Sequence, residues 1–190
     1  MKLKLACSDF TFPILPHDQA LRLISMLGIE GVDIGLFEDR SHLQPSSEFG
    51  NVRRLARKLK KRLDAHGLVA ADMFLQLALD YESQAVNHPR SQRRRSAREA
   101  FLKALDYTAE CSGKHLTALP GVHFREESRR DSLARAAAEL AWRVERAKEY
   151  GITFAIEPHI GSFADTPKRA GKLVEDVPGL TLTLDYAHMY

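Results

Sequence analysis

Ile152-Thr-Phe-Ala-Ile-Glu-Pro-His159 and Leu180-Thr-Leu-Thr-Leu-Asp-Tyr-Ala-His188 are two short runs of one design. Side chains of a β-strand alternate between its two faces. In the first run Ile152, Phe154 and Ile156 share one face, and Thr153, Ala155 and Glu157 share the other. In the second, Leu180, Leu182 and Leu184 alternate with Thr181, Thr183 and Asp185. Each strand thus has a bulky apolar face and a narrower face that ends on a carboxylate. A parallel barrel ringed by helices needs this pattern: large residues pack outward, smaller ones face the lumen, and reactive groups sit at the C-terminal rim. A histidine follows each acid, His159 after Glu157 and His188 after Asp185. Two carboxylates and two imidazoles converging on one rim have the donor chemistry of a metal site.

Outward from these runs the chain alternates strand and helix. Leu3 to Cys7 reads as a first strand. A helix opens at Pro16-His17-Asp18, carries Leu21, Ile24 and Leu27 on one face, and stops at Gly28. Gly31 to Gly35 is a second strand, followed by a polar loop through Ser46-Ser47 and a helix bearing Val52, Leu55, Leu59 and Leu63. Leu68 to Leu75 is a third strand. A helix with Phe101, Leu105 and Thr108 inward leads to a fourth, His115 to Leu119. Ser128 or Asp131 caps the next helix, whose stripe is Leu133, Ala137, Leu140, Val144 and Ala147, with Trp142 on its flank. Thr166-Pro167 is a helix start, an N-cap before a first-turn proline. This gives six strands and five helices, with right-handed βα crossovers forming a parallel α/β sheet. No Gly-x-Gly-x-x-Gly or Walker-type loop follows a strand, which removes the main support for a nucleotide-binding doubly wound fold.

The predicted fold is therefore a (β/α) TIM-type barrel in a single domain, residues 1–190. A complete eight-unit barrel usually needs about 250 residues. With six strands the expectation is an incomplete barrel about two units short, its first and sixth strands left as unpaired edges. Association between copies into a homo-oligomer is one way to cover them.

Composition narrows the function classes. The 28 Lys and Arg against 25 Asp and Glu give a net charge of only +3, which argues against a nucleic-acid partner. The arginines at 90, 93, 94, 95 and 98 tempt a phosphate-binding interpretation; the simpler expectation is a loop and the solvated first turns of a helix. Two cysteines, Cys7 and Cys111, do not make a disulfide framework, which fits a reducing, cytoplasmic setting. No run approaches the ~20 apolar residues of a membrane span.

Glu157 and Asp185 are the sharpest chemical signal. Burying a strand-end carboxylate is costly unless it is paired or metal-bound. A divalent cation would relieve their repulsion, and a salt bridge to a rim Lys or Arg is the alternative. The loop after Asp185 could turn His188 back toward the same site. His159 follows Pro158, and His123 follows the fourth strand at the rim; both are candidates for substrate contact. Asp33 and Asp72 are candidate polar residues of the lumen. Cys7 and Ser8 have no identifiable base and read as structural.

An ordered set of pieces resembles a known family. They are Gly31-Val-Asp33, Val86-Asn-His-Pro89 with the arginine-rich helix start behind it, Ile156-Glu-Pro-His159 and Leu184-Asp-Tyr-Ala-His188. The chain resembles the xylose-isomerase-like TIM barrels, in particular the sugar phosphate isomerase/epimerase group with tagatose and psicose epimerases. The resemblance implies one divalent metal, Mn²⁺, Mg²⁺, Co²⁺ or Zn²⁺. It implies that Glu157 binds that metal and acts as acid/base, that Asp185 binds metal, and that His188 contacts substrate or metal. In the family a further ligand histidine and a second catalytic glutamate follow on later strands, beyond the last residue of this sequence. The implied reaction removes a proton next to the carbonyl of a small sugar or sugar phosphate, through a metal-stabilised enediolate. An endonuclease or dehydratase on the same scaffold is the alternative enzyme class. Strand three ends Phe74-Leu-Gln76 without the histidine a zinc endonuclease would need. A non-catalytic barrel fragment is the third alternative.

Overall fold

The computed structural model describes residues 4–188. Its six strands are β1 (Ala6–Ser8), β2 (Gly31–Phe37), β3 (Val69–Gln76), β4 (His115–Ala118), β5 (Thr153–Ile156) and β6 (Thr181–Leu182). They pair side by side in chain order, every pair parallel. The helices between them are α1 (His17–Met26), α2 (Pro45–Glu48), α3 (Val52–Ala65), α4 (Ser91–Glu110), α5 (Arg129–Glu149) and α6 (Pro167–Asp176). This is a run of βα units, and among the described residues β1 and β6 are paired on one side only. The expected incomplete parallel barrel is what the chain forms. Leu3, the first residue of the expected opening strand, lies outside the described residues.

The alternation of the strands builds the two layers. Ile34, Met73, Leu116 and Phe154 point outward and are fully or almost fully buried. They pack with Leu59, Phe101 and Leu140 of the covering helices in one continuous core. Each such side chain is worth about 1.5–3 kcal/mol by burial. On the opposite face stand small and polar residues, Asp33, Asp72, Thr117, Ala155 and Thr181. The Thr117 and Thr183 hydroxyls meet at 2.8 Å across that face, and Thr181 donates to the Phe154 carbonyl at 2.9 Å.

Local chemistry sets the helix ends. Asn51, Ser128 and Thr166 each accept the backbone N–H three residues on, from Arg54, Asp131 and Arg169, the side-chain cap that frees a helix start from unpaired donors. Pro167 occupies the first turn of α6. Gly28 and Gly67 follow α1 and α3 with φ of 74° and 68°, a left-handed conformation that glycine adopts without strain.

Three expectations need correcting. The polar loop through Ser46-Ser47 contains the short helix α2: Pro45 starts it, and Glu48 accepts the buried Tyr107 hydroxyl at 2.6 Å. Leu184 does not continue an apolar face; it is 58% exposed. The β5–β6 ladder ends at Ile156 opposite Leu182, one hydrogen bond (Thr183 N–H to the Ile156 carbonyl, 2.9 Å) follows, and no described element packs over Leu184. The arginine-rich start of α4 is only partly solvated. Arg90, Arg93 and Arg95 are exposed, but Arg94 and Arg98 reach Glu139 on α5 at 3.3 and 2.9 Å. Helical spacing of 94 and 98 puts both guanidiniums on the face that meets α5.

Candidate metal centre

The strand ends at the C-terminal rim bring the site together. The Glu157 N–H donates to the Ala118 carbonyl at 3.1 Å, so the residue continues β5 and its carboxylate points to the lumen side. It opens on a cavity of about 460 Å³ that Asp33, Asp72, Thr183 and Asp185 also line, with Phe10 and Phe37 as apolar wall. Beyond β6, Asp185 nucleates a tight turn. Its Oδ1 accepts the Ala187 N–H at 2.8 Å and its carbonyl accepts the His188 N–H at 3.2 Å. Residues Tyr186–His188 form one turn of 3-10 helix. That turn swings His188 back over the rim, where its Nε2 lies 3.7 Å from Glu157 Oε1 and 3.5 Å from Asp185 Oδ2.

His159 completes the group from the loop after β5. Its ring lies 4.0 Å from the His188 ring, centroid to centroid. Its Nδ1 is 2.8 Å from the Ile160 carbonyl, which can only accept, so Nδ1 carries the proton. Nε2 then holds the lone pair, and the Tyr81 hydroxyl donates to it at 3.1 Å. Tyr81 comes from the loop after β3 and was not singled out from sequence; nothing in an isolated tyrosine of a polar loop marks it.

Glu157, His159 and His188 each offer a ligand atom, all within 4.8 Å of one another. Asp185 stands beside this trio through His188, and its side chain is 42% exposed. His123 is elsewhere: its Nε2 faces the Glu127 carbonyl at 3.2 Å, in the loop before α5. One carboxylate and two imidazoles suit a borderline cation such as Zn²⁺ better than an all-oxygen Ca²⁺ or Mg²⁺ cage. The Ile160 carbonyl on Nδ1 leaves Nε2 as the nitrogen that can ligate, and an ion bound there would take the place of the Tyr81 hydroxyl. The residues present fit such an ion.

The lumen below is dense in acid. A register irregularity between Val32 and Asp33 sets Asp33 directly across from Asp72. Burial pushes Asp72 up to about 7, Asp33 adds to the rise, and a hydrogen bond from Thr117 works against it. Asp72 Oδ1 is buried without a partner. Burial also raises Asp33, with Asp9 as the second cause, and pushes Glu157 up to about 7, with Asp185 and then Asp72 contributing. Asp9 itself is fully buried. Its Oδ1 accepts the Gly35 N–H at 3.0 Å and its Oδ2 lies 3.0 Å from His17 Nε2. Asp9, just past the end of β1, therefore ties that strand end to β2 and α1.

The family profile described as the xylose isomerase-like TIM barrel matches residues 21–190. A comparison with curated proteins found no match. Among solved structures, a putative xylose isomerase from Rhodospirillum rubrum superposes with a TM-score of 0.82 at 19% identity, over 98% of this chain and 67% of that one. A D-psicose 3-epimerase with D-tagatose from Clostridium cellulolyticum H10 gives 0.77 at 12% identity, over 98% and 64%. The IOLI protein with a bound zinc atom gives 0.75 at 17%, over 99% and 64%. The chain thus spans about two thirds of the length of each. Identities this low speak for the fold alone. No helix among the described residues is long and apolar enough to cross a membrane.

Proposed function

The chain belongs to the xylose isomerase-like TIM barrel family, and we propose that within it the chain serves a divalent-metal-dependent isomerase or epimerase of a sugar or sugar phosphate. The observation that carries this is the Glu157 carboxylate at the strand-end rim, 3.7 Å from His188 and facing a cavity of about 460 Å³. Glu157, His159 and His188 would hold the ion, with Asp185 next to it. A bound ion would polarise the carbonyl and neighbouring hydroxyl of the substrate and lower the pKa of the proton between them.

The chain's own residues would do the rest. Glu157 Oε takes the proton from the carbon beside the carbonyl; the C–H electron pair moves into the new C=C bond and the carbonyl oxygen takes the charge. For isomerisation the same carboxyl returns the proton to the neighbouring carbon while the hydroxyl proton passes between the two oxygens; for epimerisation Glu157 serves one face only, and a second acid/base group must protonate the same carbon from the opposite face. A carboxylate lifted out of its usual range by a half-buried rim matches this duty better than a solvated one. The Thr183 hydroxyl and the carboxylates of Asp33 and Asp72 offer donors and acceptors for the polyol. Phe10 and Phe37 cover the apolar edges of the ring or chain and shield the proton from water. A sugar, rich in hydroxyls and carrying an acidic C–H, fits this wall of mixed polarity.

Exchange of the substrate C–H with solvent deuterium tests the proposal. With ketohexoses and ketopentoses, free and phosphorylated, and Mn²⁺ or Zn²⁺ added, one or more sugars should gain deuterium at the carbon beside the carbonyl. Glu157→Gln should abolish the exchange. No exchange with any sugar, or exchange undiminished in Glu157→Gln, overturns it.

A further inference from the structure

A second cavity, about 60 Å³, lies between the outer faces of β3 and β4 and the helices α4 and α5. Leu75, Leu77, Ala97, Phe101 and Ala118 make its wall apolar. Two full charges line it. Asp80 is exposed, and its carboxylate is occupied by the backbone N–H groups of Glu82 and Ser83 and by the Ser83 hydroxyl. The other is Arg143, only 2% exposed.

Arg143 is under-compensated. Its Nη1 donates to the Glu139 carbonyl at 2.9 Å and to Glu139 Oε2 at 3.0 Å. Among the described residues no acceptor takes its Nε or Nη2. Glu139 is meanwhile shared: Arg94 and Arg98 reach the same carboxylate at 3.3 and 2.9 Å. Three guanidiniums therefore meet one carboxylate, and the innermost of them lines an apolar cavity. Burial pulls Arg143 down to about 10, Glu139 holds it up, and Arg98 pulls it down further; it stays protonated at neutral pH. A buried charge that shares its one counter-charge with two others is incompletely compensated, and a small anion beside it lowers that cost.

We infer that this cavity binds the carboxylate end of a short aliphatic acid, with Arg143 as donor and Leu75, Ala97 and Ala118 against the carbon chain. A water needs roughly 10–15 Å³ of such space, so the volume suits about four or five non-hydrogen atoms, the size of propionate or the end of a longer acid. A guanidinium recognises a carboxylate through two parallel N–H donors, and Nε with Nη2 is the pair left for it. The cavity adjoins the lumen through Gln76, which lines both, and through His159 in its wall. The inference does not require a metal at the rim.

Trp142 is the chain's single tryptophan, and its ring lies 5.8 Å from the Arg143 guanidinium carbon. It therefore reports on the site. The metal-free chain is titrated with propionate, and separately with propionamide, at constant ionic strength, following Trp142 fluorescence. Propionate should give a saturable change, and propionamide should bind at least tenfold more weakly. Arg143→Met should weaken propionate at least tenfold; Glu139 keeps Arg94 and Arg98 in that variant. Ala97→Met, which fills the cavity and leaves every charge in place, should weaken it as much and decides the matter if Arg143→Met fails to fold. A linear response to propionate, equal responses to acid and amide, or undiminished binding in Ala97→Met each overturns the inference.

Discussion

Asp33 and Asp72 face each other across the β2–β3 ladder because the register slips by one residue between Val32 and Asp33. Without the slip the strand alternation would have set Asp33 against Ala71. The irregularity turns two single acids into a pair, and with Glu157 and Asp185 they line one cavity.

That pairing predicts a pH dependence of stability. Asp72 sits at about 7 in the folded chain against an ordinary carboxyl value of 3.8. Between those values the folded state holds a proton that the unfolded state has released. Stability from this group is therefore full below the unfolded value and is lost as pH rises through about 7. Asp72→Asn should remove this part of the pH dependence. Urea midpoints of both proteins at pH 5 and pH 8 check it: the variant should gain on the wild type at the higher pH. A constant difference between them would count against the buried, proton-holding Asp72.

Breaking the inter-helix ion cluster should be expensive. Glu139 is 4% exposed and takes Arg94, Arg98 and Arg143 together. Glu139→Gln leaves three guanidiniums without a carboxylate, and removal of one partner of a buried pair typically costs about 3–5 kcal/mol. Equilibrium urea unfolding should show a loss of that order. A loss under ~1 kcal/mol, the range of exposed pairs, would mean the cluster is solvated.

Asn87 clamps two rim loops. Its amide donates to the Val122 and Ser132 carbonyls at 2.7 and 3.2 Å and accepts the Val122 N–H at 3.1 Å. Gly121 lies against it with φ of 99°, and a Cβ there would stand 2.6 Å from Asn87 Oδ1. Asn87→Leu strands the buried Val122 N–H and carbonyl at about 1–3 kcal/mol each. Gly121→Ala adds both strain and a clash. Both should lower the melting temperature, and their effects should not add, because the two residues touch.

Phe154 anchors the outer face of β5. It is 2% exposed and meets Phe101 edge-on at 5.1 Å. Phe154→Ala should cost about 3–5 kcal/mol, read as a shift of the urea midpoint with an unchanged slope.

The layer order was legible because strands and helices differ in period. Ile152, Phe154 and Ile156 against Thr153, Ala155 and Glu157 give the inner and outer faces of β5 from spelling alone, and Thr166-Pro167 gives the start of α6. The approach of Glu157 and His188 rests on a turn of Tyr186–His188 that spacing permits but does not dictate. The position of His159 depends on Pro158 and on the Ile160 carbonyl. Tyr81, Asp9 and Arg143 were hidden for a different reason. Tyr81 and Asp9 meet His159 and His17, 78 and 8 residues away, on elements whose relative rotation no local pattern states; Arg143 meets Glu139 one turn away on its own helix, and only the packing of α4 against that turn brings Arg94 and Arg98 to the pair. Leu184 misled because alternation continues in the sequence past the point where the ladder stops.

The central claim is a divalent-metal site on Glu157 at the strand-end rim, and calorimetric titration of the purified chain with Zn²⁺ and Mn²⁺ tests it most directly. One ion per chain should bind, and Glu157→Ala and His188→Ala should each abolish or severely weaken it, while His123→Ala should leave it unchanged. No stoichiometric binding, or binding that survives Glu157→Ala, would contradict it.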